Sequence, residues 1–258
     1  MTIANSNQHI DFEIPDWGEF SAPPANTLGY RSRVLAHNPL AYWRFGEADG
    51  ITAFDESGHG HHATYRGGVS LSKPGPLSYD NNASVELDGD SGWIELPQSL
   101  SLAVNEPVTV CFWSLVFRSG LNRTGVLSIG GLDSPNRCLI HTPWNTLSYF
   151  WDFGTQNEQG RIFTTPRDQL DRWTHVAVVS AGRQGNFKAI YLDGELAQSS
   201  PASDGPTQVI SGGSIWSDQN HAPRNQHAGR IDELAVFNQV LTAEDIRRLY
   251  QSGVGPWA

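Results

Sequence analysis

Short apolar or alternating runs, separated by turn residues, fill most of this chain. EPVTVCFWSLVF is the longest and reads as a central strand. GVLSIGG, RCLIHTP, TLSYFWDFG and GRIFTTP follow at short intervals, then RWTHVAVVSA and FKAIYLDGELA as a further pair. The second of that pair holds a tight turn at Asp193-Gly194. Upstream, LAYWRF reads as a strand, and ASVELDG and GWIELP read as a hairpin joined by DGDSG. DESGHGHH between them is turn chemistry, with Asp and Ser able to bond their own backbone. YRSRVLAHNP begins with a short helix that must end before Pro39, because the residue before a proline avoids the helical region.

The closing stretch, GRIDELAVFNQVLTAEDIRRLY from Gly229 to Tyr250, is a strand running into a helix. Strict alternation puts Ile231, Glu233, Ala235 and Phe237 on one face and Asp232, Leu234 and Val236 on the other. A strand apolar on both faces is covered on both. The Asp232 carboxylate beside Leu234 and Val236 therefore needs hydrogen-bond donors or a cation as partner. In the helix, Thr242 and Asp245 make a capping-box pair, and Leu241 and Ile246 have the spacing of a hydrophobic staple. Arg247 and Arg248 are read in its last turn and Gly253 as its stop.

The 258 residues suit one β domain, residues 29–258, preceded by an extended arm over residues 1–28. A net charge of −10 counts against nucleic acid or an anionic membrane as partner. No apolar run approaches the ~20 residues of a membrane-inserted helix. The start, MTIANSNQHIDFEIPDWGEF, shows no basic segment followed by an apolar one, so no signal peptide is read there. That leaves a leader trimmed away, or a protein that leaves its cell without the secretion route, as a virion component does. Cys111 and Cys138, both among apolar neighbours, are read as buried thiols.

PLAYWRFGE, DESGHGHHATYRGGV, VELDGDSGWIELP, PVTVCFWSLVF, WTHVAVV, IYLDGELA and the closing stretch, in this order, resemble the laminin-G-like, concanavalin A-like lectin domains. The resemblance covers about residues 30–253. It implies an all-β, two-sheet antiparallel β-sandwich (a concanavalin A-like jelly roll) with one short C-terminal helix. Such domains mostly bind carbohydrate or protein partners, and some branches are enzymes. The resemblance also implies a structural Ca²⁺ where the closing strand meets the early D-x-S-G loop. The matching positions are Asp232 and Asp55, with a backbone carbonyl such as that of Gly229 as a further ligand. The alternative is that both carboxylates simply accept backbone N–H bonds.

A retaining glycosidase needs two carboxyls about 5–5.5 Å apart. The nearest pattern is Glu86, Asp88 and Asp90, but turn residues interrupt it, and Asp152 has no second acid at alternate spacing. No catalytic residues are assigned. His59, His61 and His62 lie in a solvated turn without metal-ligand spacing. Trp43, Trp113 and Trp173 fall in apolar strand patterns and belong to the core. Two loops combine aromatic and hydrogen-bonding side chains as sugar sites do. One offers His141, Trp144 and Asn145; the other offers Trp216, Asp218, Gln219, Asn220, His221 and Arg224.

The expected function is recognition without catalysis. The first reading is a phage virion surface or tail component, homo-oligomeric, mediating assembly or host glycan adhesion. The alternatives are a bacterial extracellular carbohydrate-binding module and, third, a polysaccharide hydrolase of the same fold.

Overall fold

The computed structural model describes residues 29–118, 125–130, 136–141, 147–155, 161–183, 185, 187–201, 205–215 and 228–255. The arm expected over residues 1–28 lies outside them. The chain enters through helix α1 (Tyr30–Ala36) and the short strands β1 (Ala41–Trp43), β2 (Thr52–Ala53) and β3 (Ala63–Arg66). Then come β4 (Val69–Pro74), β5 (Ala83–Asp88), β6 (Trp93–Leu102), β7 (Val108–Val116) and β8 (Gly125–Ile129). β9 (Asn136–His141), β10 (Phe150–Thr155) and β11 (Arg161–Phe163) precede β12 (Trp173–Ser180), β13 (Lys188–Leu192) and β14 (Glu195–Ser200). β15 (Ile210–Ile215), β16 (Ala228–Phe237) and helix α2 (Ala243–Val254) close the chain.

The strands form two antiparallel sheets. The first runs β14-β13-β12-β7-β16-β5-β4, with β1 also paired to β16; the second runs β11-β10-β9-β8-β15-β6-β3-β2. Apolar side chains of both sheets, among them Val85, Val110, Phe112, Ile94, Ile140 and Trp151, meet in one core between them. The other side of the first sheet is also covered. There α1 and α2 lay Tyr30, Val34, Leu241, Ile246 and Leu249 against Cys111, Trp113, Ala177 and Phe237. Cys111 belongs to this helix-side cluster and Cys138 to the core between the sheets, so a sheet separates the two free thiols.

Local signals set several junctions as the sequence predicts. Asp193 (φ 52°) and Gly194 (φ 79°) both take positive φ in the β13–β14 turn, the conformation a two-residue hairpin requires. Thr242 and Asp245 make the reciprocal capping box of α2, and Leu241 and Ile246 are both buried beside it. The end of α2 differs. Arg247 and Arg248 both pair with Glu244 along the helix flank, and the helix continues to Val254. Gly253 lies inside it, where a Cβ would come within 2.5 Å of Trp113; the positive-φ residue after the helix is Gly255 (φ 83°).

Two strand expectations are corrected. β5 pairs with β4 and β16 while β6 pairs with β3 and β15, so the DGDSG turn carries the chain from one sheet to the other and closes no hairpin. Asp88 shapes that turn by accepting from the N–H groups of Asp90 (3.0 Å), Ser91 (2.9 Å) and Gly92 (2.8 Å) and from Ser91 Oγ (2.7 Å). Slight burial opposes ionisation there, but those donors outweigh it and hold the carboxyl down at about 2. In β16, Asp232 faces Trp113 and Ala235 faces Cys111, so Glu233 and Leu234 stand against the single Phe112, with Glu233 at φ 54°. This bulge reverses the alternation, so Ile231, Leu234 and Val236 all enter the core between the sheets while Ala235 and Phe237 face the helices.

Under the helices, Tyr30 Oη lies 3.1 Å from His175 Nε2, and Trp113 (ring centroids 5.1 Å) and Tyr250 (6.1 Å) flank the imidazole. Burial pushes His175 down to about 3, so the fold holds it neutral. The unfolded chain takes up that proton near 6.5, so the contribution is intact above pH 6.5 and lost as pH falls toward 3. Between pH 8 and pH 4 this group is expected to cost about 3 kcal/mol of stability. Urea unfolding of wild type and His175→Gln across that range measures it as the pH slope the variant lacks.

Candidate functional site

The inner faces are packed together and the helices cover the outside of the first sheet; on the outer side of the second sheet most side chains are buried too, and among β9–β11 those that reach the surface stand on the β11 edge. Which side chains that outer side carries follows from alternation against the core. Ile162, Trp151 and Phe153, and Cys138 and Ile140, point inward. Arg161 and Phe163 of β11, Phe150 and Asp152 of β10, and Arg137, Leu139 and His141 of β9 therefore point outward. Register aligns them in rows: Phe163–Phe150–His141, and Arg161–Asp152–Leu139.

The second row continues the charged chemistry. Asp152 is fully buried, and its Oδ2 accepts from Arg137 Nε (2.9 Å) and Nη2 (2.7 Å) and from Arg161 Nε (3.2 Å). Its other oxygen, Oδ1, is buried without a hydrogen-bond partner. Arg137 is buried as well, whereas the Arg161 side chain stays 27% exposed on the edge strand. The first row is aromatic. Phe163 packs on Phe150 with centroids 4.9 Å apart, and Phe150 meets His141 edge-on at 5.2 Å. The Arg161 guanidinium lies over the Phe150 ring at 5.8 Å. Phe163 remains 49% exposed although it belongs to a packed aromatic pair. This edge thus offers an apolar ring face next to a fixed guanidinium.

Of the binding residues expected from the sequence, the structure describes His141 alone. It is the last residue of β9, buried at 1% exposure and packed on Phe150, so it ends the aromatic row on the inner strand and does not sit in a loop. Trp144, Asn145, Trp216, Asp218, Gln219, Asn220, His221 and Arg224 lie outside the described residues. β9 and β15 both pair antiparallel with β8, and Ile140 and Ile215 face the same residue, Leu127. β9 and β15 therefore end at the same end of the second sheet, the end that carries His141, Phe150 and Phe163. Arg161 and Phe163 were missed because GRIFTTP reads as a minor strand. The available signal was an Arg and a Phe flanking one inward-facing Ile.

The residues weighed for catalysis serve other contacts. Glu86 pairs with Arg230 (2.8 Å) and Lys73 (3.8 Å) on the first sheet, and Asp88 is spent on its turn. In the histidine turn, His62 Nδ1 accepts from the Asp55 N–H (3.0 Å) and His61 Nδ1 meets Ser99 Oγ (3.0 Å), so both tie the loop down.

The calcium set implied by the resemblance is not assembled. Both Asp55 oxygens are taken: Oδ1 accepts from the N–H groups of Tyr42 and Ser57 (both 2.9 Å), and Oδ2 from Ser57 Oγ (2.8 Å) and the His61 N–H (2.9 Å). Partial burial opposes ionisation of Asp55, and these donors hold its carboxyl below the usual range. Gly229 is built into the sheet, opposite Leu87 on one side and Val116 on the other. Asp232 Oδ1 accepts from the Glu233 N–H (2.9 Å) and Asn82 Nδ2 (3.2 Å), sharing no partner with Asp55. Asp232 Oδ2 is buried without a partner, and burial together with the Glu233 charge pushes this carboxyl up. Among the described residues no three carboxylate, imidazole or thiol groups converge on a metal position. Asp55, Asp232 and Gly229 do not fit one coordination shell. The closing strand is tied to the Asp55 loop through β1 instead, whose Trp43 bridges Asp55 and pairs with Leu234.

The sequence matches the model of the concanavalin A-like lectin/glucanases superfamily, of laminin G type, over residues 88–247. The chain belongs to that superfamily. No curated protein matches it in sequence. Among solved structures it is similar to the receptor-binding domain of botulinum neurotoxin mosaic serotype C/D, with 15% identity and a TM-score of 0.62 over 83% of this chain and 51% of that one. It is also similar to the Trypanosoma rangeli sialidase in complex with sialic acid, with 16% identity and a TM-score of 0.59 over 82% of this chain and 32% of that one. The chain therefore spans about half or less of the length of these structures, and the likeness shows the fold.

Removing one partner of a buried ion pair leaves the other charge stranded. Asp152→Ala is expected to cost about 3–5 kcal/mol in urea unfolding, by stranding Arg137. The double replacement Asp152→Leu, Arg137→Leu is expected to recover most of that loss.

Proposed function

We propose that this is a carbohydrate-recognition domain without catalytic activity, whose ligand meets the β10–β11 edge of the second sheet. The observation that carries this reading is Phe163, half exposed, packed on Phe150 and set beside the Arg161–Asp152 ion pair. A pyranose lays its C–H face on an aromatic ring, and its hydroxyls take hydrogen bonds from a guanidinium held in place. Asp152 acts as a positioning residue, because it fixes two guanidinium groups on the same face. Proteins of this fold include a receptor-binding domain of a neurotoxin and a sialidase solved with sialic acid, so the fold carries both binders and enzymes.

Against hydrolysis stand the engagements of the carboxylates. Cleaving a glycosidic bond needs a spaced pair of carboxyls, one acting as acid. On the outer side of the second sheet, buried Asp152 is bound to two arginines, and Glu95 to Arg66 (2.5 Å). Display on a virion surface, as the sequence leads one to expect, is a setting that suits such a module and extends the same proposal.

A glycan array with the purified chain, followed by retention on a gel of the polysaccharide it selects, tests the reading. Binding without release of reducing sugar is expected, and Phe163→Ala is expected to weaken it about tenfold, the loss of roughly one stacking contact. Trp144→Ala and Trp216→Ala are expected to weaken it as well. An empty array, or release of reducing sugar, overturns the proposal.

A further inference from the structure

Large apolar side chains at the surface are ordinary when scattered, but three of them surround the point where the described chain begins. Tyr79 (46% exposed) lies beside Gly29, and its Oη accepts from the Tyr30 N–H (3.1 Å). Asp80, next in the chain, holds Arg44 (2.6 Å), and the segment that starts at Arg44 leads to Ile51 (65%) and Phe54 (53%). Glu47 ties that segment down by accepting from the Phe54 N–H (2.8 Å) and Tyr65 Oη (2.6 Å). From α1, Arg31 reaches Glu56 (2.5 Å), just past Phe54. Ile51 and Phe54 flank β2, the end strand of the second sheet, which pairs with β3 and with no other described strand. A strand edge open to one side, with apolar side chains beside it, is a template for a further extended segment.

The sequence before Gly29 holds a segment that fits this edge. Ile10, Phe12 and Ile14 alternate with Asp11 and Glu13, so an extended chain there has one apolar and one acidic face, and Pro15 ends the run. We infer that Ile10–Ile14 docks on the β2 edge of its own chain, with its apolar face over Ile51 and Phe54 and its acidic face toward solvent. Reach favours this occupant. From Ile14 to Gly29 the chain spans up to about 50 Å when extended, and Gly29 stands beside Tyr79 on the same side of the sandwich as Glu56 and Phe54. Tethering raises the local concentration of the segment to about millimolar, above that of a second copy in dilute solution. Charge sets the orientation. Residues 1–28 hold Asp11, Glu13, Asp16 and Glu19 and no Lys or Arg, so alternation that turns Asp11 and Glu13 outward keeps them from Glu47 and Glu56.

Hydrogen exchange of the full chain, read by mass spectrometry, tests this. Amides of residues 10–14 are expected to exchange at least about tenfold slower than unprotected ones, the factor that one buried apolar side chain contributes. The double replacement Ile51→Ser, Phe54→Ser is expected to return them to the unprotected rate while β7 and β12 keep their protection. Both side chains are exposed, so the fold survives the change. Leu196→Ser, at a similarly exposed position on the β14 edge of the first sheet, is the control and is expected to leave residues 10–14 protected. Unprotected residues 10–14 in the wild type, or protection that persists in the double variant, overturns the proposal. Protection that vanishes on dilution together with a dimer mass overturns it as well, since the segment then lies on a second copy.

Discussion

The contact of Arg44 with Glu233 and Asp80 is the constraint from which the rest of this structure can be followed. β16 lies between β7 and β5 and also receives β1, so the first sheet has its centre there. Yet this strand holds two adjacent buried carboxylates and a residue at positive φ, an arrangement whose backbone strain alone costs about 1–3 kcal/mol. It persists because Arg44, Tyr42 and Asn82 converge on it from the chain segments before β2 and β5. The bulge they hold in place aims Ala235 and Phe237 at the helices and Ile231, Leu234 and Val236 at the other sheet. Both cores depend on that division.

With the helices committed to the first sheet, the recognition proposed above falls to the second. Its outer face follows a different rule from the β16 bulge. Charges are still paired, but on the edge strand they stay within reach of solvent, and an aromatic ring stands beside them. The same pairing that anchors Arg137 beneath Asp152 sets the orientation of Arg161 at the surface. Under the proposed function, stability and recognition are coupled in this one carboxylate.

What the residues disclosed depended on how local the signal was. The capping box at Thr242, the staple and the Asp193-Gly194 turn are decided within a few residues, and all were legible. The path of β5 into β6 was not, since Asp-Gly and Ser-Gly turn chemistry serves a hairpin and a sheet-to-sheet crossing equally well. The bulge at Glu233 was hidden because alternation assumes one residue per register step, and nothing in IDELAVF marks the extra one. Asp232 was rightly read as a carboxylate in need of company, but its neighbours came from Asn82 and Glu233 and not from the Asp55 loop. On the second sheet, Asp152 was dismissed for want of a second acid. Its meaning lay in two arginines, one on each neighbouring strand, which only the register brings together.

The central claim is that a carbohydrate is recognised at the β10–β11 edge. Mapping of backbone amide shifts on titration with an oligosaccharide selected from an array tests it most directly. The account predicts that the largest shifts fall on Phe150–Asp152 and Arg161–Phe163, with His141 among those that follow. Shifts centred instead on the helix-covered side of the first sheet, or on its β14 edge, would contradict it.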